Sequence, residues 1–182
     1  MAVLEVLIYP DERLLQPCRD IENSDFEDPH FQSFIDDLIE SMEHAPGCVG
    51  LAAPQVNKPI RVVAVNCALA RKPPEGNHGE MIMCNPEIIK WNGMEVAREG
   101  CMSVPDYTGN VMRATEVSVQ FQDRHGEEVV LSFDGFEARA VQHEMDHLEG
   151  KLFIDRVVSR KADLFPRKSY QKSRKKKKNT ED

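Results

Sequence analysis

At 182 residues, 41% hydrophobic and 30% charged, the chain has the size and composition of one soluble globular domain able to bury its own core. No apolar run approaches the roughly 18 residues of a membrane span. That excludes a transmembrane helix, and because residues 1–15 lack the basic and long apolar regions of a secretory signal, a cytoplasmic location is expected. The net charge of −8 is uneven: from Lys161 onward nine basic residues face three acidic ones, and before it 14 basic face 28 acidic. Only Phe165 and Tyr170 fall among those nine basic residues, and none in the run Arg174–Lys178, which argues against sequence-specific nucleic-acid binding. Five cysteines without a CxxC pair argue against a disulfide framework.

Asp28-Pro29 opens the first helix. Phe31, Phe34, Ile35, Leu38, Ile39 and Met42 recur at helical spacing behind an Asp N-cap and a first-turn Pro, a stripe expected in the core. Ile60 to Val65 reads as a strand, and Lys72–Gly79, rich in Pro, Gly and Asn, as a surface loop. Strand-like segments follow at Met81–Trp91, Met94–Met102, Thr115–Asp123 and Glu128–Phe133; Arg124-His125-Gly126 joins the last two as a hairpin, and a Pro-containing loop follows Ser103. A second helix begins near Asp134, with Glu137 spaced for a capping box, and stops at Gly150. Leu152–Val157 reads as a short strand. This order predicts a single α+β domain, with antiparallel sheet packed on the second helix. Residues 1–160 form its body and 161–182 a basic tail, in which Ser173–Asn179 has nothing apolar to bury and is expected to be disordered.

His143-Glu144-Met145-Asp146-His147 is an HExxH motif on that second helix. Residues four apart lie one turn apart on one face, so both imidazoles reach one metal with Glu144 beside them to handle a proton. A catalytic site usually takes a third protein ligand. Phe153 stands where a metzincin has its last His, and the only later glutamates, Glu149 and Glu181, do not suit a thermolysin-type site. The third ligand is therefore expected upstream, from His125 in the hairpin turn or from Cys101 at a strand end. Cys101 with two imidazoles is a reasonable set for Zn²⁺ or another divalent transition metal.

Three segments together resemble the peptide deformylase family: Cys48 to Gln55 (CVGLAAPQ), Glu99 to Ser103 (EGCMS) and Gln142 to His147 (QHEMDH). Cys48 departs from the family's first Gly, either tightening the loop or setting a thiol near the cleft, and Met102 replaces a common Leu. The resemblance implies hydrolysis of N-formyl-methionyl peptides on a metal held by Cys101, His143 and His147. It implies Fe²⁺ in the cell, with Zn²⁺, Ni²⁺ or Co²⁺ able to occupy the isolated protein. Glu144 is then the general base. Gln55 and the Met102 backbone N–H are the oxyanion donors, and Gly50 lets the peptide backbone lie close. Val49, Ala97, Phe136 and Ala140 are candidates for the methionine slot, and Glu99 for a substrate contact or a brace paired with Arg113.

Two other readings compete. An aminopeptidase-like metallohydrolase on the same helix would not prefer a formyl cap over an acetyl one. A non-enzymatic ribosome-associated module with a structural metal would need no base, yet Glu144 and Gln55 are both present. The basic tail is a candidate ribosome contact.

Overall fold

The computed structural model describes residues 2–167. Its elements run α1 (Asn23–Phe26), α2 (Pro29–His44), β1 (Gly50–Ala52), β2 (Val62–Asn66), β3 (Glu80–Asn92), β4 (Glu95–Cys101), β5 (Val104–Arg113), β6 (Glu116–Gln122), β7 (Glu128–Asp134), α3 (Gly135–Leu148), α4 (Arg160–Asp163) and β8 (Leu164–Pro166). Five strands form one antiparallel sheet in the order β1-β2-β3-β6-β7, and β4-β5-β8 form a second antiparallel sheet.

Every residue of β2 is buried, because a helix covers each face of its sheet. Alternation sends Val63 and Val65 towards Ala138, Val141 and Leu148 of α3, while Val62 and Ala64 pack with Phe34, Ile35, Leu38 and Met42 of α2. The α2 stripe is therefore core, and its fully buried Ile35, Leu38 and Met42 each contribute about 2 kcal/mol. Asp28 caps this helix by accepting from the His30 N–H at 2.8 Å, with Pro29 in the first turn. A third cluster, with Val104, Val111, Leu152, Phe153 and Ile154, joins the second sheet to the segment after α3. The α3 helix thus lies between the two sheets.

Four local expectations change. The segment after Ser103 is strand β5, not a loop: its Pro, Gly and Asn weaken the strand signal, but β4 and β8 pair along its two sides. Phe153–Asp155 forms a 3₁₀ turn where a strand was expected, with Phe153 packed in the third cluster. Asp134 makes no side-chain cap; Glu137 instead accepts from the His78 N–H at 2.9 Å and meets His78 Nδ1 at 2.6 Å, tying the Lys72–Gly79 loop to the start of α3. Past residue 160, where the basic tail was expected to begin, α4 and β8 still follow. The expectation for Ser173–Asn179 lies outside the described residues. The helix α3 ends as expected, with Gly150 at φ +69° and its N–H donated to the His147 carbonyl. No helix among the described residues is long and apolar enough to cross a membrane.

Candidate active site

An unusual number of charged residues on α3 are buried: Glu137, Arg139, Glu144, Asp146 and His147. Each needs a partner, because an unpaired buried charge is costly. Arg139, His143 and His147 follow at four-residue steps and share one face. That face meets Glu99 and Cys101 at the end of β4.

Sulfur Sγ of Cys101 lies 3.5 Å from His147 Nε2, and the donor atoms of Cys101, His143 and His147 all lie within 4.8 Å of one another. His125 is exposed in its hairpin turn and is not among them. Glu99 Oε2 is 2.8 Å from His143 Nδ1. A carboxylate can only accept, so Nδ1 carries the proton and Nε2 is left for the cluster.

Glu99 is the hub behind the site. Arg113 donates to both its oxygens at 2.8 and 3.0 Å, and Arg139 donates to Oε1 at 3.0 Å. Burial alone would raise this carboxyl, but hydrogen bonds from His143 and Arg113 outweigh it and hold Glu99 well below the usual carboxylate range. Arg113 continues to Asp146 at 2.6 Å, and Asp146 takes Arg156 at 2.7 Å. Gln142 clips both the N–H and the carbonyl of Ala114. The buried Glu99–Arg113 pair foreseen as a brace is therefore present, extended by Arg139 and Asp146, which had no assigned role. The signal for Arg139 was its place one turn before His143.

Burial pushes the Glu144 carboxyl up to about 7, near the range suited to moving a proton at neutral pH. Its Oε2 is buried without a partner among the described residues. Burial, then the neighbouring His143, pushes His147 well below the ordinary histidine value, favouring the neutral imidazole a metal requires. Gln55 is fixed at both ends: Oε1 accepts from the Ala52 N–H at 2.9 Å, and Nε2 donates to Ser103 Oγ at 3.1 Å and towards Cys101 Sγ at 3.5 Å.

These groups line a cleft of about 350 Å³, bordered by β1 and β4, which are edge strands of the two sheets. Val49, Phe136 and Ala140 line it, but Ala97 does not; it sits opposite Val111 in the β4–β5 pair. Glu99 also borders the cleft, with its carboxylate already engaged by His143, Arg113 and Arg139. At Gly50 a Cβ would lie 2.6 Å from Glu144 Oε1 and 2.8 Å from its Cδ, so only glycine leaves this carboxylate its place. Cys48 lines the cleft and donates its thiol to the Gly50 carbonyl at 3.0 Å.

A thiolate and two imidazoles at this spacing fit a divalent transition metal, and the cleft leaves the remaining side open. Such a site, with a buried glutamate beside it on a helix between antiparallel sheets, defines a metal-dependent hydrolase. The Polypeptide deformylase family model matches residues 3–163, and the chain belongs to that family, whose members remove the formyl group from N-formyl-methionyl peptides. Over 168 residues the chain is 42% identical to a peptide deformylase of Xylella fastidiosa, covering 92% of this chain and 95% of that protein. Identity to the Syntrophobacter fumaroxidans enzyme is also 42%, over 92% of this chain and 94% of that one. Among solved structures, a Legionella pneumophila peptide deformylase matches with a TM-score of 0.79 at 33% identity, covering 99% of this chain and 98% of that chain. A Met-Ala-Ser-bound class I type b peptide deformylase from Acinetobacter baumannii also matches at 0.79, with 36% identity over 86% of this chain and 99% of that chain.

Proposed function

We propose that Cys101, His143 and His147 hold one divalent metal, Fe²⁺ in the cell, and that Glu144, Gln55 and the Met102 backbone N–H carry the deformylation of N-formyl-methionyl peptides beside it. When bound, such an ion supplies Lewis acidity, polarising the formyl carbonyl and lowering the pKa of a water molecule. Glu144 accepts the proton of the attacking water and delivers it to the departing amine nitrogen. Gln55 Nε2 and the Met102 N–H donate to the oxygen on which negative charge develops, each contributing about 3 kcal/mol. To do so, Nε2 turns one N–H from the weak sulfur contact while Ala52 and Ser103 keep the amide in register.

The peptide lies as an added strand on β1. Its pairing partner is Gly50: the Val49 carbonyl accepts from the Asn66 N–H, so by antiparallel alternation the Gly50 backbone groups point away from β2. The peptide's N–H takes the Gly50 carbonyl in place of the Cys48 thiol, and the methionine side chain enters between Val49, Phe136 and Ala140. The tripeptide Met-Ala-Ser bound by the Acinetobacter relative supports a cleft for a methionine-led peptide. Formylated termini arise on ribosomes, so a cytoplasmic location and a ribosome contact through Lys175 to Lys178 belong to the same reading.

One observation carries it: Glu144 is buried, poised to take up or release a proton near neutrality, and unpartnered at Oε2 among the described residues, beside a Cys/His/His cluster. The test compares formate release from formyl-Met-Ala-Ser with acetate release from acetyl-Met-Ala-Ser. Strong preference for the formyl peptide is expected; equal rates would favour a general amide hydrolase instead.

A further inference from the structure

Eight of the eleven described arginines are ion-paired with carboxylates. Arg98 and Arg167 are not, among the described residues, and both line the mouth of the active-site cleft; the remaining one, Arg71, does not. In a body with twice as many acidic as basic residues, two uncompensated cations at one opening call for a partner.

Their placement is built by the second sheet. Arg98 and Gly100 alternate onto one face of β4, and Thr108 and Phe165 stand opposite Gly100 in the register of β5 and β8. The Arg98 guanidinium stacks on the Phe165 ring at 3.7 Å and donates to Asn110 Oδ1 and Thr108 Oγ1 at 3.1 and 3.2 Å. Arg167 is anchored by its backbone N–H to the Asp106 carbonyl at 2.9 Å, and its guanidinium covers Gly100. Among the described residues, the only acidic ones lining the cleft are Glu99 and Glu144, both buried at its floor. The mouth is therefore cationic.

We infer that Arg98 and Arg167 form a specificity rim that selects substrates with acidic side chains at the second or third residue after the formyl group. This rests on the deformylase reading, which sets the formyl group beside Cys101. An extended peptide advances about 3.3 Å per residue, so a chain leaving Cys101 along β4 comes level with Gly100 and then Arg98 within about 10 Å. A carboxylate there meets two planar donors, Arg98 already held in position by Phe165, Asn110 and Thr108. Exposed pairs of this kind are individually weak, so the joint preference is about fivefold and fades as salt rises.

The test uses the metal-loaded full chain and three peptides: formyl-Met-Glu-Glu-amide, formyl-Met-Gln-Gln-amide and formyl-Met-Gln-Gln with a free terminal carboxylate. At low salt the wild type should show a kcat/KM about fivefold higher for the Glu amide than for the Gln amide, falling towards parity at 1 M salt. The R98Q/R167Q variant should bring the ratio near one, and R98E/R167E should invert it, which a merely structural role would not do. Equal values for the two amides in the wild type would overturn the rim and leave the deformylase reading standing. A ratio unchanged in R98E/R167E would also overturn it. So would a preference confined to the free-acid peptide, because a nascent chain presents no such terminus. Formate release from none of the three would overturn both readings.

Discussion

Gly50→Ala isolates the positioning of the base. Alanine is less unfavourable in a strand than glycine, and Gly50 has no left-handed φ, so β1 and its pairing with β2 should survive. The new methyl, however, would lie 2.6, 2.7 and 2.8 Å from Oε1, Cγ and Cδ of Glu144. An ordinary carbon contact needs about 3.5 Å or more, so the carboxylate must withdraw by nearly 1 Å. A displacement of that size at a reacting group costs about 10²-fold in rate. None of the cluster residues Cys101, His143 and His147 is among the atoms nearest that methyl, so metal content should stay at one per chain. The assay pairs formate release from formyl-Met-Ala-Ser with metal analysis of the same sample. A Gly50→Ala protein that keeps its metal and more than a third of wild-type kcat would refute the contact as a determinant of catalysis.

Cys101→Ser should lose metal affinity heavily, since a hydroxyl is a poor substitute for a thiolate, while half-buried Cys18→Ser should keep a full complement by the same metal analysis. Glu99→Gln leaves Arg113 and Arg139 short of a buried partner; a loss of about 3 kcal/mol lowers the metal-free melting temperature by about 10 °C, and metal affinity should fall about 10-fold. Because Glu99 is held below its ordinary value of 4.5, its stabilising charge is present above that pH and lost as the medium is acidified further. The two melting temperatures should therefore converge below about pH 4.5, and a constant gap down to pH 2 would contradict the assignment. Replacing Lys175 to Lys178 with Ser should leave turnover on a short formyl peptide unchanged and weaken ribosome binding at low salt.

Legibility in the sequence followed the range of the interactions. The stripe from Phe31 to Met42 encodes α2 locally, and the spacing of His143 and His147 declares a shared helical face. Cys101 was accessible through its own segment, once both downstream alternatives for a third ligand had failed. By contrast, β5 contains Pro105, Gly109 and Asn110, and its conformation is decided by β4 and β8 alongside it. Residue Ala97 shares the parity of Glu99 on β4 yet sits opposite Val111 and outside the cleft, a distinction that requires the sheet's position relative to α3. The partners of Glu99 lie 14, 40 and 44 residues away, at Arg113, Arg139 and His143. A charged residue's buried partner at such separation leaves no periodic trace. Likewise Glu137 looked like a cap because the spacing was right, while His78 on a distant loop was the stronger partner.

The role of Glu144 in hydrolysis beside a Cys/His/His metal site is tested most directly by Glu144→Gln. The protein should be prepared without oxygen and loaded with Fe²⁺, then assayed for metal and for formate release from formyl-Met-Ala-Ser. Glutamine keeps the shape and the cluster but cannot take a proton, so one metal per chain should accompany a fall in kcat of at least about 10²-fold. Near-normal turnover with the metal still bound would contradict the assignment of the base, and with it the proposed mechanism.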